Sequence, residues 1–332
     1  MNRMFTSDKV KSNSIFTCPS CFQDLLKIKE NDLNLQLACN QCSALFDIVD
    51  NIPRLVDTDN YTNSFGYQWN IHRKTQLDSY SGLSISKNRI DKITNLEFRD
   101  WKNDKILEAG SGAGRFSEIL VKSGASVYSF DFSSACEANA LNNSSADNLF
   151  IFQGDIFRIP FNNDSFDHVF CLGVIQHTPN PEAAFIALAE KVKIGGSLYI
   201  DVYTKSFLSL VHWKYILRPI TKRIDQVKLY NLVCKVVPFL IPFSRLSRKL
   251  FGRLGARIIP IVEYTHLGLD KKMNRDWAIL DTFDMYSPAH DHPQSLRTVQ
   301  KWFINSGFTD IEVFYGDNGV VGRGKKPFKE PE

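Results

Sequence analysis

No uninterrupted apolar run in this 332-residue sequence approaches the roughly 18 residues of a membrane span. The longest candidate, around Val233 to Phe243, contains Lys235 and is cut by Pro238 and Pro242. The first fifteen residues are polar, carry Lys and Arg, and have no apolar core, so they do not read as a signal peptide. Both absences lead to the expectation of a soluble, cytoplasmic protein. Internal repeats and long low-complexity segments are also missing. An excess of one charge sign is nearly absent overall: the net charge is +4, which by itself argues neither for nor against nucleic acid. Cysteine is limited to seven residues, an odd number. Four form two tight pairs, while Cys136, Cys171 and Cys234 stand alone. That pattern suits a metal site in a reducing compartment better than a disulfide framework.

What is present divides into four stretches. Residues 1–58 hold the paired cysteines. Residues 59–101 are polar and aromatic and read as helical. Residues 102–204 alternate strand-like and helix-like runs, with strands expected at Lys105–Ala109, Ser126–Phe130, Leu149–Gln153, His168–Leu172 and Ser197–Val202. Such alternation implies a parallel sheet covered on both faces by helices. Residues 205–294 interrupt the rhythm. It resumes at 295–325 with a helix (Ser295 to Ser306) and two closing strands (Asp310–Tyr315 and Gly319–Gly322).

The first strand runs into Glu108-Ala109-Gly110-Ser111-Gly112-Ala113-Gly114-Arg115. Glycines let the backbone turn tightly and let a ligand approach it closely. A glycine turn alone is weak, since it also occurs as a plain structural turn. Three details sharpen it. The spacing is G-x-G-x-G, with Arg115 where the dinucleotide fingerprint would want a third-position glycine. Glu108 precedes the first glycine by two residues. Asp131 ends the next strand about 20 residues on, where a ribose hydroxyl needs an acceptor. Farther along come Gly154-Asp155-Ile156, then a polar turn into Phe166-Asp167-His168-Val169, then Gly173-Val174-Ile175-Gln176-His177-Thr178-Pro179 and Gly195-Gly196-Ser197-Leu198.

Four elements, LEAGSGAGRFS, SFDFS, GDIFRIPFNNDSFDHVFCLGVIQHTPNP and KIGGSLYID, occur in an order that resembles the class I S-adenosylmethionine methyltransferases. The similar group is the one that includes the ubiquinone and menaquinone C-methyltransferases. The resemblance covers residues 100–204 and, less fully, 295–325. It implies an α/β fold: a Rossmann-like sheet of seven strands, mostly parallel, with one antiparallel strand near the edge. It further implies that Glu108, Gly110 and Gly112 hold the methionine end of the cofactor and that Asp131 takes the ribose hydroxyls. Asp155 and Ile156 would cradle adenine, and Leu172 and Gly173 would supply backbone near the cofactor's amino group. Gly114 and Phe132 are counted with the same cofactor-binding set.

A sulfonium methyl is already activated, so such a protein mainly positions and desolvates the acceptor. A base is needed only where the acceptor must lose a proton early. His177 ends the fourth strand, at the edge where open α/β sheets bind ligands. It is the candidate base, with fixing of the loop as the competing role.

Cys18-Pro19-Ser20-Cys21 and Cys39-Asn40-Gln41-Cys42 have the spacing of a zinc ribbon. Four thiolates at tetrahedral corners leave no open position, so Zn(2+) here is expected to be structural. With the following Phe46–Leu55 stretch, the module resembles the small zinc-ribbon proteins that activate tRNA and protein methyltransferases.

Two further regions bear on the acceptor. In Phe65-Gly66-Tyr67-Gln68-Trp69, Tyr67 and Trp69 either line the acceptor pocket or pack in the core. Residues 205–275 carry 15 Lys and Arg against 3 acids, so the rest of the chain is near −8. Lys205, Arg218, Lys222, Arg223, Arg245, Arg248, Lys249, Arg253 and Arg257 belong to this patch, and a basic amphipathic helix is expected between Ser244 and Ile259. It suits an anionic membrane surface, RNA or a phosphorylated substrate; a lid helix with a solvated basic face fits equally. The proline-bounded loop Tyr286–Gln294 offers Tyr286, His290 and Asp291 as acceptor-site residues, with a weaker zinc option at His290 and His292.

The sequence therefore reads as a methyltransferase acting on a small-molecule or lipid-linked acceptor, a sugar or natural-product intermediate, at oxygen. An RNA methyltransferase is the runner-up; a four-cysteine ribbon lowers that option. A non-catalytic S-adenosylmethionine-binding partner protein is the rival from another class, disfavoured by the intact glycine turn.

Overall fold

A computed structural model describes residues 16–23, 26–31, 34–56, 60–95, 101–205 and 213–328. The fifteen residues read above as lacking a signal peptide lie outside this set, as do parts of the linkers at 57–59, 96–100 and 206–212.

The N-terminal module is a four-stranded antiparallel sheet in the order β1 (Leu26–Asn31), β2 (Asn34–Cys39), β3 (Leu45–Val49) and β4 (Ile52–Pro53). Asp50 and Asn51 join β3 to β4 with positive φ at both positions (52° and 61°). A two-residue hairpin turn requires that conformation, and these residue types tolerate it. The module is not a free appendage. Leu55 N–H donates to the Gln153 carbonyl at 2.9 Å and Thr17 N–H to the Pro160 carbonyl at 2.8 Å. Phe16, Leu37 and Leu55 share a core with Phe152 and Phe161 of the main sheet.

The main sheet has seven strands, in the order β10-β11-β9-β8-β5-β6-β7. They are β5 (Lys105–Ala109), β6 (Ser126–Asp131), β7 (Leu149–Gln153), β8 (Phe166–Leu172), β9 (Val192–Val202), β10 (Thr309–Tyr315) and β11 (Val320–Lys325). Pairing is parallel from β9 through β7, and β11 alone runs antiparallel to its neighbours, next to the edge. Alternate side chains of a strand face opposite sides. Leu107 and Phe130 thus enter one core and Ile106 and Val127 the other. The parallel sheet with helices on both faces is what the alternation predicts, and its seven-stranded Rossmann-like form is what the resemblance implied. The strand positions agree within a few residues, except that β9 begins five residues early, running through Gly195 (φ +79°) and Gly196.

Helices cover both faces. On the first lie α6 (Pro181–Lys191), capped by Asn180 with Pro181 in its first turn, and α10 (Leu296–Asn305), capped by Ser295. On the second lie α3 (Ile85–Thr94) and the short α4 (Ser117–Leu120); α5 (Ala135–Asn142) follows β6. Before them come α1 (Asn63–Ile71) and α2 (Asp78–Ser81).

Between β9 and α10 the chain builds a helical layer of α7 (Trp213–Thr221), α8 (Gln226–Gly255) and α9 (Lys271–Tyr286). Leu229, Val233, Val237 and Ile241 of α8 pack against Ala278, Ile279 and Phe283 of α9, a third core. The prolines at 238 and 242 do not cut this segment, and the helix begins 18 residues before the expected Ser244. A proline removes one amide donor and pushes on the carbonyl four residues back. Here the packed apolar face holds the helix together through both, and the break comes instead at Gly252, whose φ is +57°. By length and composition, Gln226–Gly252 is apolar enough to cross a membrane, and 28% of its most apolar window is buried. The sequence pattern had excluded that by counting the prolines as breaks.

Candidate active site

The C-terminal ends of β5, β6 and β8 meet the helical layer around a cavity of about 660 Å³. That size lies within the ~300–1,000 Å³ of ordinary small-molecule sites. Gly110 and Gly112 line it with φ of +77° and +51°. A Cβ at Gly110 would sit 2.3 Å from Val174 Cγ2, so only glycine fits. Gly112 N–H donates to Asp131 Oδ2 at 2.9 Å, and Ser133 donates to Oδ1 from its backbone N–H (2.9 Å) and its hydroxyl (2.6 Å). Asp131 is thereby fixed at the cavity wall, and burial raises its pKa despite those donors. A carboxylate has about four acceptor sites, so with three donors in place it retains capacity for a further hydroxyl donor. Phe132, Ile156, Leu172 and Gly173 also line the cavity.

The remaining cofactor candidates lie outside the wall. Glu108 is buried beneath the turn, where Oε2 accepts from the hydroxyls of Ser117 and Ser129 (2.5 and 2.8 Å). Burial pushes its carboxyl up to about 7. Gly114 packs against Asn139, which a Cβ would approach to 2.1 Å. Asp155 is half-buried; its Oδ1 accepts from Phe157 N–H at 2.9 Å. These three shape the loops rather than the cavity wall.

The acceptor candidates divide too. Trp69 lines the cavity beside Gly112. Tyr67, two residues away on α1, turns into the third core against Tyr230 and Phe283. Tyr286 is also core, its hydroxyl donating to the Pro260 carbonyl at 2.8 Å. The reading of Tyr67 and Tyr286 as acceptor residues is thus corrected: apolar burial between α8 and α9 takes both rings. His290 contributes its carbonyl, while its ring packs edge-on to Tyr61 and stacks near His292 at 5.8 Å. Among the described residues, neither histidine joins a cluster able to hold a metal. Asp291 lines the cavity, paired with Lys214 (2.8 Å) and Arg218 (2.7 Å). Burial would raise its pKa, but the two cations outweigh burial and hold it below the ordinary value.

His177 lines the cavity between Phe65 and Tyr203, and its Nδ1 lies 3.0 Å from the His290 carbonyl. A carbonyl only accepts, so Nδ1 carries the proton and Nε2 of the neutral ring keeps its lone pair. Burial lowers the pKa, favouring that neutral form.

Sequence reasoning missed a polar cluster contributed by α9. Asp281 accepts from Gln76 Nε2 at 3.0 Å and from the Tyr264 hydroxyl. Asp284 accepts from Gln68 Nε2 at 3.1 Å and from the Tyr203 hydroxyl at 3.3 Å. Both acids line the cavity, and burial pushes the Asp281 carboxyl up to about 7. The signal was available: two acids at i, i+3 inside the apolar run AILDTFDMY lie on one helix face. The charge count over residues 205–275 stopped short of them. That basic stretch is itself divided. Arg218 and Arg248 are spent on Asp291 and Glu263, and Arg245 on the Thr265 hydroxyl.

In the N-terminal module, the sulfurs of Cys18, Cys21, Cys39 and Cys42 lie within 4.8 Å of one another, with Cys18–Cys42 and Cys21–Cys39 at 3.6 Å. Tetrahedral thiolates about 2.3 Å from zinc are separated by about 3.8 Å, so the group fits that ion.

Residues 107–200 match the family model described as a methyltransferase domain. An uncharacterized chloroplastic methyltransferase of Arabidopsis thaliana is 21% identical over 66% of this chain and 69% of its own length. The mitochondrial ubiquinone biosynthesis O-methyltransferase of Schizosaccharomyces pombe is 30% identical over 38% of this chain. The chain spans about half the length of that relative and of the similar Coxiella burnetii enzymes (48% of each). Among solved structures, an O-methyltransferase family protein from Burkholderia thailandensis aligns over 76% of this chain and 60% of its own, with 11% identity and a TM-score of 0.44. The family match falls on the glycine turn, Asp131 and the β8 loop, so the chain carries a methyltransferase domain of the S-adenosylmethionine-dependent class.

Proposed function

We propose that the chain methylates a small or lipid-linked metabolite at oxygen. One observation carries this reading. A single cavity is lined on one side by the glycine turn and Asp131, and on the other by Tyr264, Asp281 and Asp284 of the insertion. A site walled in this way on both sides suits an acceptor that enters whole. The ubiquinone biosynthesis O-methyltransferases among the relatives are consistent with it. When bound, S-adenosylmethionine supplies a sulfonium methyl already activated for displacement. Asp131, Phe132, Ile156, Leu172 and the backbone of Gly110, Gly112 and Gly173 would hold it. Trp69, Tyr264 and Trp277 give the cavity aromatic walls, and Asp281 and Asp284 offer acceptors to hydroxyl groups of the acceptor. Neutral His177, with Nε2 unprotonated, can take a hydroxyl proton. We also assign one structural zinc to Cys18, Cys21, Cys39 and Cys42, and a reducing, cytoplasmic setting; all seven cysteines are unpaired by disulfides.

The test is transfer of labelled methyl from S-adenosylmethionine to panels of phenolic, glycoside and prenylated acceptors, with total RNA as a parallel substrate. Label in a small or lipid-soluble product, lost on alkaline treatment where an ester forms and stable where an ether forms, supports the reading. Label confined to RNA overturns it.

A further inference from the structure

Helix α8 has two apolar faces, and only one is covered. Leu229, Val233, Val237 and Ile241 are buried against α9. On another face, Leu232 (50% exposed), Val236, Phe239 (69%), Phe243, Leu246 and Leu250 (64%) stand in solvent. At 3.6 residues per turn, these six fall within a sector of about 80° and run along about 27 Å of helix. The rings of Phe239 and Phe243 touch only 5.4 Å apart on this open face. Soluble monomers rarely leave so long an apolar stripe bare. At its far end, Trp213 of α7 donates to the Ile258 carbonyl at 2.9 Å, and Trp213, Ile216, Ile220, Leu254 and Ile258 continue the exposed apolar surface.

Charge indicates what would cover it. Between Gln226 and Gly255 there are six Lys and Arg and no Asp or Glu. Lys228, Lys235 and Lys249 are exposed, as are Lys222 and Arg223 just ahead of the helix. By helical position, Lys228 and Lys235 lie along one edge of the stripe. A second copy laid against this face would bring cation against cation, which argues against self-association. An anionic lipid surface matches both features at once, accepting apolar side chains below the headgroups and cations among them.

We propose that α8 lies flat on an anionic phospholipid bilayer, with the Leu232–Leu250 stripe inserted and the lysines along its edge on the headgroups. Spanning is not implied, because a second face of α8 is packed on α9. Residues that follow the helix, including Arg257, Val262 and Tyr264, line the cavity, so docking would bring the site close to the membrane surface. This goes beyond the acceptor reading and does not depend on it.

The experiment is cosedimentation of the full chain with phosphatidylcholine vesicles, with and without phosphatidylglycerol. The expected result is pelleting with the anionic vesicles and little with the neutral ones. Phe239→Ser with Phe243→Ser should release the protein, and Lys235→Glu with Lys249→Glu should weaken binding by at least about 25-fold, each lost cation counting for about fivefold. All four positions are exposed and outside the cavity, so S-adenosylhomocysteine binding and melting temperature should be unchanged; this control separates failed docking from a failed site. Protein left in the supernatant with anionic vesicles overturns the proposal. So does equal binding to neutral vesicles, or a dimer by light scattering that dissociates in the Phe239/Phe243 variant while vesicles are ignored.

Discussion

Nδ1 of His177 meets the carbonyl oxygen of His290 at 3.0 Å, tying the loop after β8 to the loop after α9 across 113 residues of sequence. The same carbonyl accepts from Arg218 at 3.2 Å, and Arg218 pairs with Asp291. The insertion is thereby attached to the sheet at the cavity itself. This contact fixes the tautomer of His177, and two roles for the residue can be separated by experiment.

His177→Ala should lower kcat by about 10²- to 10⁴-fold if the imidazole removes a proton. His177→Gln retains a donor toward the His290 carbonyl. Activity restored by Gln would identify a positioning residue; loss in both variants, with S-adenosylhomocysteine affinity intact by calorimetry, identifies the base. Stability should also respond. Because burial lowers the folded pKa below its ordinary value of 6.5, the unfolded chain takes up the proton first as pH falls. The contribution of neutral His177 is thus present above about pH 6.5 and lost as the pH falls toward the folded value. Thermal melts from pH 8 to 5 should show a shallower acid decline in His177→Gln than in the parent.

Asp281 titrates in the opposite sense. Its folded pKa, pushed up by burial to about 7, exceeds the ordinary 3.8, so the folded state holds the proton longer. That contribution is fully present below about pH 3.8 and is lost as pH rises through 7. Asp281→Asn should therefore melt higher than the parent at pH 8, with the gap narrowing as the pH falls toward 4. An equal change in melting temperature between pH 8 and pH 5 in parent and variant would show that folding does not raise the Asp281 pKa.

Asp131→Ala removes the acceptor that Gly112 and Ser133 hold in place. S-adenosylhomocysteine binding should weaken by about 1.5–3 kcal/mol, the range for hydrogen bonds to a charged group. Isothermal calorimetry reads this directly, and undiminished affinity would remove Asp131 from the cofactor site.

One zinc per chain is expected by elemental analysis. Cys39→Ser should lower the metal content and loosen the N-terminal module, since zinc-binding energy in small ribbons is largely folding energy. The loss should propagate to the main sheet, because Leu55 and Thr17 bond to Gln153 and Pro160. Limited proteolysis after chelation should cut near residues 55–60 first. Stoichiometric zinc surviving replacement of all four cysteines would exclude this site.

The sequence by itself determined the sheet and the thiol cluster. Alternating apolar runs define strands locally, glycine spacing marks a turn that no side chain can occupy, and C-x-x-C pairs carry their own geometry. It could not decide which aromatic of the Tyr67/Trp69 pair faces the cavity. Residues two apart on a helix point to different sides, and the choice depended on where α9 lies against α1. Nor could it reveal Asp281 and Asp284 as partners of Gln76 and Gln68, because those contacts join segments more than 200 residues apart. The continuous helix through Pro238 and Pro242 was likewise decided by tertiary packing, where burial of Val233, Val237 and Ile241 on α9 outweighs the two missing amide donors. The uncovered face of α8 follows from that same packing: a periodic pattern shows that a helix has apolar sides, and only the neighbours it meets determine which side is left to solvent.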